Sequence, residues 1–294
     1  MVRRLPQLLP RIARPLAALA ALTALLPAAA NAVTLMGDKE VARMVSFGGS
    51  CAGCELSGRK LTGAHFEGAN FEGATLVGSD LREARFLGAN FSQADLARAD
   101  LSESQMVGAN FENANLSSAR IRDAQVTGVM IGQAHMANVD MRDTRAEGAN
   151  FQGANITGGR FDDAILTGAT FVRVRASNAS FRDTQMRGAV MTSGNFAQAD
   201  FRDADLTAAV MTSGTFSGAD FRDTILNHAQ LYGVDLRGAR NLEQDQLNNA
   251  CADASTRLPP GLTAKTCRGR ITIVRPPRAP APPAPPAAPA PPRY

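Results

Sequence analysis

Between Leu56 and Leu236 an apolar residue recurs at every fifth position, 37 times without a gap. Most are Leu, Phe, Met, Ile or Val, and Ala146 and Ala176 are the smallest. Two residues before each stands a second class, Ala, Ser, Thr, Gly, Val or Cys, with Arg59 the one departure. The other three positions are mostly polar, and the last is Gly in 16 of the 37 units. A helix repeats its apolar residues at steps of three and four, and a half-buried strand at steps of two. Here the order is in, out, in, out, out. The first three positions alternate as in a strand. The double outward step is a corner, where Gly supplies backbone angles that other residues resist. One unit cannot bury its own Leu or Phe, but stacked units can, which predicts an all-β solenoid.

Longer words set the coil. GANF occurs at 68–71, 88–91, 108–111 and 148–151, and FRD begins at 181, 201 and 221. A 20-residue wording puts four units in each coil, and so about nine coils at ~4.8 Å spacing, a rod of roughly 45 Å. The pattern A-(N/D)-(L/F)-x-x, as in GANFEGATLVGSDLREARF (68–86), resembles the pentapeptide-repeat proteins over residues 56 to 240. The resemblance implies a right-handed quadrilateral β-helix, with the central Leu/Phe and the preceding Ala pointing inward.

The open ends of such a rod are bare edges, and short helical caps are expected at both. DKEVARMVSF, from Asp38, reads as a short amphipathic helix. Asn241 reads as an N-cap with Gln244 three residues on and Leu247, Ala250 and Cys251 along one face. NLEQDQLNNACADASTRLPPGL also resembles the C-terminal cap of the family. The expected division is 1–32 a cleavable signal peptide, 33–55 an N-terminal cap, 56–240 the repeat, 241–270 a helical C-terminal cap and 271–294 a disordered Pro-rich tail.

The signal reading rests on Arg3, Arg4, Arg11 and Arg14 without an acid, an apolar run from Leu16 to Leu26, and small residues at Ala30 and Ala32. The run is about half of the ~20 residues a membrane span needs, so no stable membrane span is expected. Cleavage near Ala32 implies a periplasmic or secreted protein, periplasmic in a Gram-negative bacterium. Removing 1–32 leaves 27 basic and 27 acidic residues. A neutral chain lacks the concentrated positive face that phosphate binding needs, so nucleic acid is not an expected partner. In the tail, ten of the 19 residues from Pro276 to Tyr294 are Pro, and an extended spacer is the plainer reading.

Chemistry is sparse. His65, His135 and His228 fall in different columns of a 20-residue coil and cannot converge. No catalytic set, cofactor motif or small-molecule site stands out, and no enzyme is expected. Cys51, Cys54, Cys251 and Cys267 have the look of a four-Cys zinc site, but the rod holds the two pairs at opposite ends. Disulfides Cys51–Cys54 and Cys251–Cys267 are open to an exported protein; Cys51 and Cys54, on inward phases, also read as small buried residues.

Two surfaces stand out. Stepping by 20 gives Glu83, Glu103, Asp123, Asp143, Asp163, Asp183, Asp203 and Asp223; just before them come Arg82, Ser102, Arg122, Arg142, Asp162, Arg182, Arg202 and Arg222. The Arg column is expected to neutralise the adjoining acids into a solvated wall; the sharper reading is an acidic notch at Asp162 and Asp163, where the column lacks its Arg, although Arg160 nearby works against it. On another face, Thr170/Val172, Val190/Thr192, Val210/Thr212 and Gln230/Tyr232 expose no charge over four rungs. This flat surface is a candidate for docking a protein partner or a second copy. The expected function is a non-enzymatic exported scaffold or protein-interaction module. The alternative comes from the resemblance, whose best-known members mimic DNA and regulate gyrase. That role needs a cytosolic protein and an uncompensated acidic surface, whereas residues 55–240 hold 22 acids and 18 bases.

Overall fold

The computed structural model describes residues 37–267. The expected signal peptide and Pro-rich tail lie outside the described residues, as do 33–36 and 268–270 of the expected end segments. From Ser50 onward, outward residues pair in parallel with residues 20 further along, as in Ser50↔Asn70, Glu55↔Thr75, Lys60↔Asp80 and His65↔Arg85. Four such pairings per 20 residues make a four-sided column. Each rung hydrogen-bonds to the next, for example Leu56 N–H to Thr75 C=O at 2.7 Å.

The five positions have distinct jobs. All 37 central apolar residues are buried, none more than 3% exposed. The small inward residue two before each is buried too, except Arg59 and Ala64 at the first coil. Of the 37 corner residues from Gly58 to Gly238, 36 have positive φ, and 21 of those are not Gly. This is the third-residue angle of a type II turn, closed by bonds such as Ala69 N–H to Phe66 C=O at 3.1 Å. The residue just before the central one is outward, and it stabilises that turn. All fifteen Asn or Asp residues there, from Asn70 to Asp235, accept the backbone N–H two residues on through Oδ1. This is an Asx-turn repeated up the column, and it explains the N/D of the repeat.

Volume is exchanged between the two inward positions. Ala146 and Ala176, the smallest central residues, follow Thr144 and Val174, larger than the usual Ala, and all four are buried. Conversely Phe196 and Phe216, stacked at 5.0 Å, follow Gly194 and Gly214. Buried hydroxyls at the small position are satisfied by backbone, as Ser104 Oγ donates to Leu101 C=O at 2.6 Å.

At the first coil, helix α1 (Asp38–Val45) buries Val41 and Val45. Arg59, whose phase points inward, is half-buried and reaches Asp38 Oδ1 at 3.0 Å. One face carries continuous strands, β1 (Val190–Thr192), β2 (Val210–Thr212) and β3 (Gln230–Tyr232), in register at steps of 20. After β3 come helix α2 (Gln244–Leu247) and strands β4 (Cys251–Ala252) and β5 (Lys265–Thr266). Here the 20-residue register breaks: Gln230 pairs with Cys251, and Cys251 with Lys265. The N-cap expected at Asn241 is corrected. Asn241 takes φ 54, and Glu243 caps α2 in a reciprocal box with Gln246. The helix lasts one turn, so Ala250 and Cys251 are not on its face. Gln246 instead turns Nε2 to the C=O groups of Phe221 (2.7 Å) and Thr224 (2.8 Å) on the last coil, which competes with lengthening the helix.

Candidate interaction surfaces

The uncharged face takes in strands β1–β3 of the five-stranded parallel sheet, and Thr170 joins it through its bridge to Val190. Thr170, Val172, Thr192, Thr212, Gln230 and Tyr232 are half-buried and outward. Val190 and Val210 differ from expectation: they are 6% and 3% exposed. Each sits between rungs about 4.8 Å above and below, which shield a short branched side chain. The surface that can be touched is therefore Val172, Thr192, Thr212 and Tyr232 on one side of the strip and Thr170 and Gln230 on the other.

The charged wall is wired otherwise than the sequence suggests. Arg142 donates to Asp140, two residues behind it, at 2.7 Å, and not to Asp143 beside it. Arg82 does the same with Asp80, and Arg202 with Asp200. The reason is the pleat: residues on either side of a central apolar residue project from one face, side by side, whereas the acid after the Arg sits at the left-handed corner. Arg182 follows Ser180 and spans rungs instead, 3.6 Å from Asp162 and 3.5 Å from Asp200. Among the described residues neither Arg122, with Arg120 two residues behind it, nor Arg222 forms an ion pair, and toward Asp220 Arg222 offers only its backbone N–H.

The notch at Asp162 is also corrected. In that coil the pair is exchanged: Arg160 stands where Asp140 stands one coil below, and Asp162 where Arg142 stands. Asp162 is buried, accepts from Ser180 Oγ, and lies near Arg160 and Arg182. No Arg is missing. What remains uncompensated is the corner column itself. Glu83, Glu103, Asp123, Asp143, Asp163, Asp183, Asp203 and Asp223 are exposed with positive φ. None of them forms an ion pair among the described residues. Partial burial, then Asp183, Asp143 and Asp162, push the Asp163 carboxyl above its ordinary range. The paired acids go the other way. The hydrogen bond from Arg82 lowers Asp80 to about 2, and that from Arg237 lowers Asp235 to about 2. Burial opposes the shift at Asp140 and Asp200, but Arg142 and Arg202 hold both low.

Cys51 and Cys54 are bonded to each other, Cα atoms 5.1 Å apart, as are Cys251 and Cys267 at 4.8 Å. Cys51 and Cys54 are 1% and 4% exposed; Cys251 and Cys267 are half-buried. Among the described residues no group of three or more His, Cys, Asp or Glu is placed to hold a metal ion. No described helix is long and apolar enough to cross a membrane.

The profile of the pentapeptide repeats matches in eight copies within residues 50–129 and 132–240, more than half of the chain. The protein therefore belongs to the pentapeptide-repeat family. Among solved structures it is similar to HetL, a pentapeptide repeat protein involved in heterocyst differentiation regulation from the cyanobacterium Nostoc sp. strain PCC 7120. That likeness has 24% identity and a TM-score of 0.59, and covers 77% of this chain and 98% of HetL; it supports the quadrilateral β-helix. Full-length QnrB1, a plasmid-mediated fluoroquinolone resistance protein, matches with 21% identity over 70% of this chain and 94% of its own, at a TM-score of 0.38. A pentapeptide repeat protein from the thylakoid lumen of Arabidopsis thaliana matches with 26% identity over 34% of this chain and 69% of its own, at a TM-score of 0.27. No curated protein matches.

Proposed function

We propose that this protein is a non-enzymatic, exported protein-interaction module that docks a partner through the sheet face of β1 to β3. The observation that carries the reading is a strip of outward residues without charge, Thr170 to Tyr232, on a side of the column made of continuous strands. Elsewhere the outward positions of the column are rich in Asp, Glu and Arg. A flat, uncharged β surface costs little to desolvate against another protein. The ends fit a self-contained module: α1 lies over the first coil and α2 with β4 and β5 over the last, the caps of the right-handed rod. Export rests on the basic, apolar and small-residue order of 1–32; the two disulfides are compatible with it. The Pro-rich tail serves as a spacer.

The test uses Thr192→Glu with Thr212→Glu, since both side chains are outward and neither is buried. The double variant keeps its circular dichroism and melting temperature. It loses the self-association, or the cross-linked periplasmic partner, seen with the wild type. Identical behaviour of the two proteins contradicts the reading.

One observation favours a second reading, a regulator that presents an acidic surface in place of nucleic acid: the eight corner carboxylates lack cationic partners. Cell fractionation separates the readings. A chain cut after Ala32 in the periplasm agrees with the first, and an uncut cytosolic chain with the second.

A further inference from the structure

We propose that the Cys251–Cys267 bond is a reducible clasp that holds strand β5 on the sheet, while Cys51–Cys54 is a permanent staple. The two bonds differ in what surrounds them. Cys51 and Cys54 lie within the core cluster that also contains Val41 and Val45 of α1. A thiolate reagent has no path to either sulfur while the first coil is folded. Cys251 and Cys267 are half-buried at the far end, where the coil register has already broken.

The clasp has little help. Strand β5 is two residues long, Lys265 and Thr266, both exposed, and among the described residues it pairs only with Cys251 and Ala252. Beyond that ladder it is held by Cys267 N–H to Ala252 C=O at 3.1 Å and by the side chain of Gln244, which exchanges two hydrogen bonds with the backbone of Thr263. The loop from Asp253 to Ala264 is too short for a 20-residue coil, and Leu258, Leu262 and Ala264 in it are only partly buried against the core, while neither residue of β5 is itself buried. The covalent bond therefore carries much of the attachment. A dithiol reductant attacks one sulfur and displaces the other as a thiolate, which takes a proton. The second thiol of the reductant then closes its own disulfide, so that two electrons pass to the protein. The freed β5 leaves β4 as the edge of the sheet, with its outer N–H and C=O groups unpaired.

The test treats the full chain with excess dithiothreitol under native conditions, then alkylates it and maps the sites by mass spectrometry. Hydrogen exchange follows in parallel. Cys251 and Cys267 are alkylated and Cys51 and Cys54 are not. Amides from Thr263 to Cys267 exchange about tenfold faster or more, while those of the coils are unchanged. Cys251→Ser with Cys267→Ser reproduces the fast exchange without reductant. The proposal is overturned if all four cysteines react together, if neither pair reacts, or if the opened pair leaves exchange at β5 unaltered.

Discussion

The ring of Phe196 occupies the space that a side chain at Gly194 would need: a Cβ there would lie 2.5 Å from Phe196 Cε2 and 3.1 Å from Val174 Cγ1. The column interior is thus filled by pairs of inward residues whose sizes trade off, not by a fixed Ala–Leu recipe. Gly194→Ala forces the stacked Phe196 and Phe216 apart, and overpacking of this kind costs about 1–3 kcal/mol. Chemical denaturation shows it as a lower midpoint at unchanged slope.

The converse holds beside Ala176. Val174→Ala empties space that Ala176 cannot fill and destabilises by about 2 kcal/mol. Adding Ala176→Leu restores part of the loss, because the central side chain can then grow into the gap. A double variant no more stable than the single one contradicts the size exchange.

Ala208 takes φ 58 at a corner and is exposed, with no side-chain group to bond locally. A left-handed angle costs a non-glycine residue roughly 1–2 kcal/mol, against about 0.5–1 kcal/mol of extra chain entropy lost by Gly. Ala208→Gly therefore raises stability by up to about 1 kcal/mol, read as a higher melting temperature.

The paired carboxylates give stability a pH dependence of known sign. Asp80 and Asp235 titrate at about 2 in the folded chain, below the ~4 of an unfolded carboxylate. Asp253, bonded first by the Gly233 backbone N–H, also lies at about 2. The unfolded chain takes up protons first on acidification, so this stability is complete above about pH 4 and lost as pH falls towards about 2. Asp163 has the opposite sign, since its carboxyl is raised by partial burial and by Asp183, Asp143 and Asp162. Asp163→Asn accordingly raises the melting temperature at pH 7, and the gain vanishes in acid.

The five- and 20-residue periods made the column legible, because burial follows phase at every central residue. Which residues sit on the uncharged face was legible for the same reason, but its exposed relief was not. The cover over Val190 and Val210 depends on rungs 20 residues away. The wiring of Arg142 to Asp140 was visible as spacing, yet the word FRD drew attention to the wrong neighbour; only the corner angle at Asp143 separates the two. Asn241 misled because an Asn before a polar run looks like an N-cap, while Gln246 was already committed to the coil carbonyls.

Stacking at steps of 20 is the claim from which all the others descend, and distances between paired spin labels measure it. Labels on Asp223→Cys paired in turn with Asp123→Cys, Glu103→Cys and Glu83→Cys span five, six and seven coils. At about 4.8 Å per coil these give narrow distributions near 24, 29 and 34 Å. Distances that fail to grow by one coil spacing at each step, or broad overlapping distributions, contradict the column.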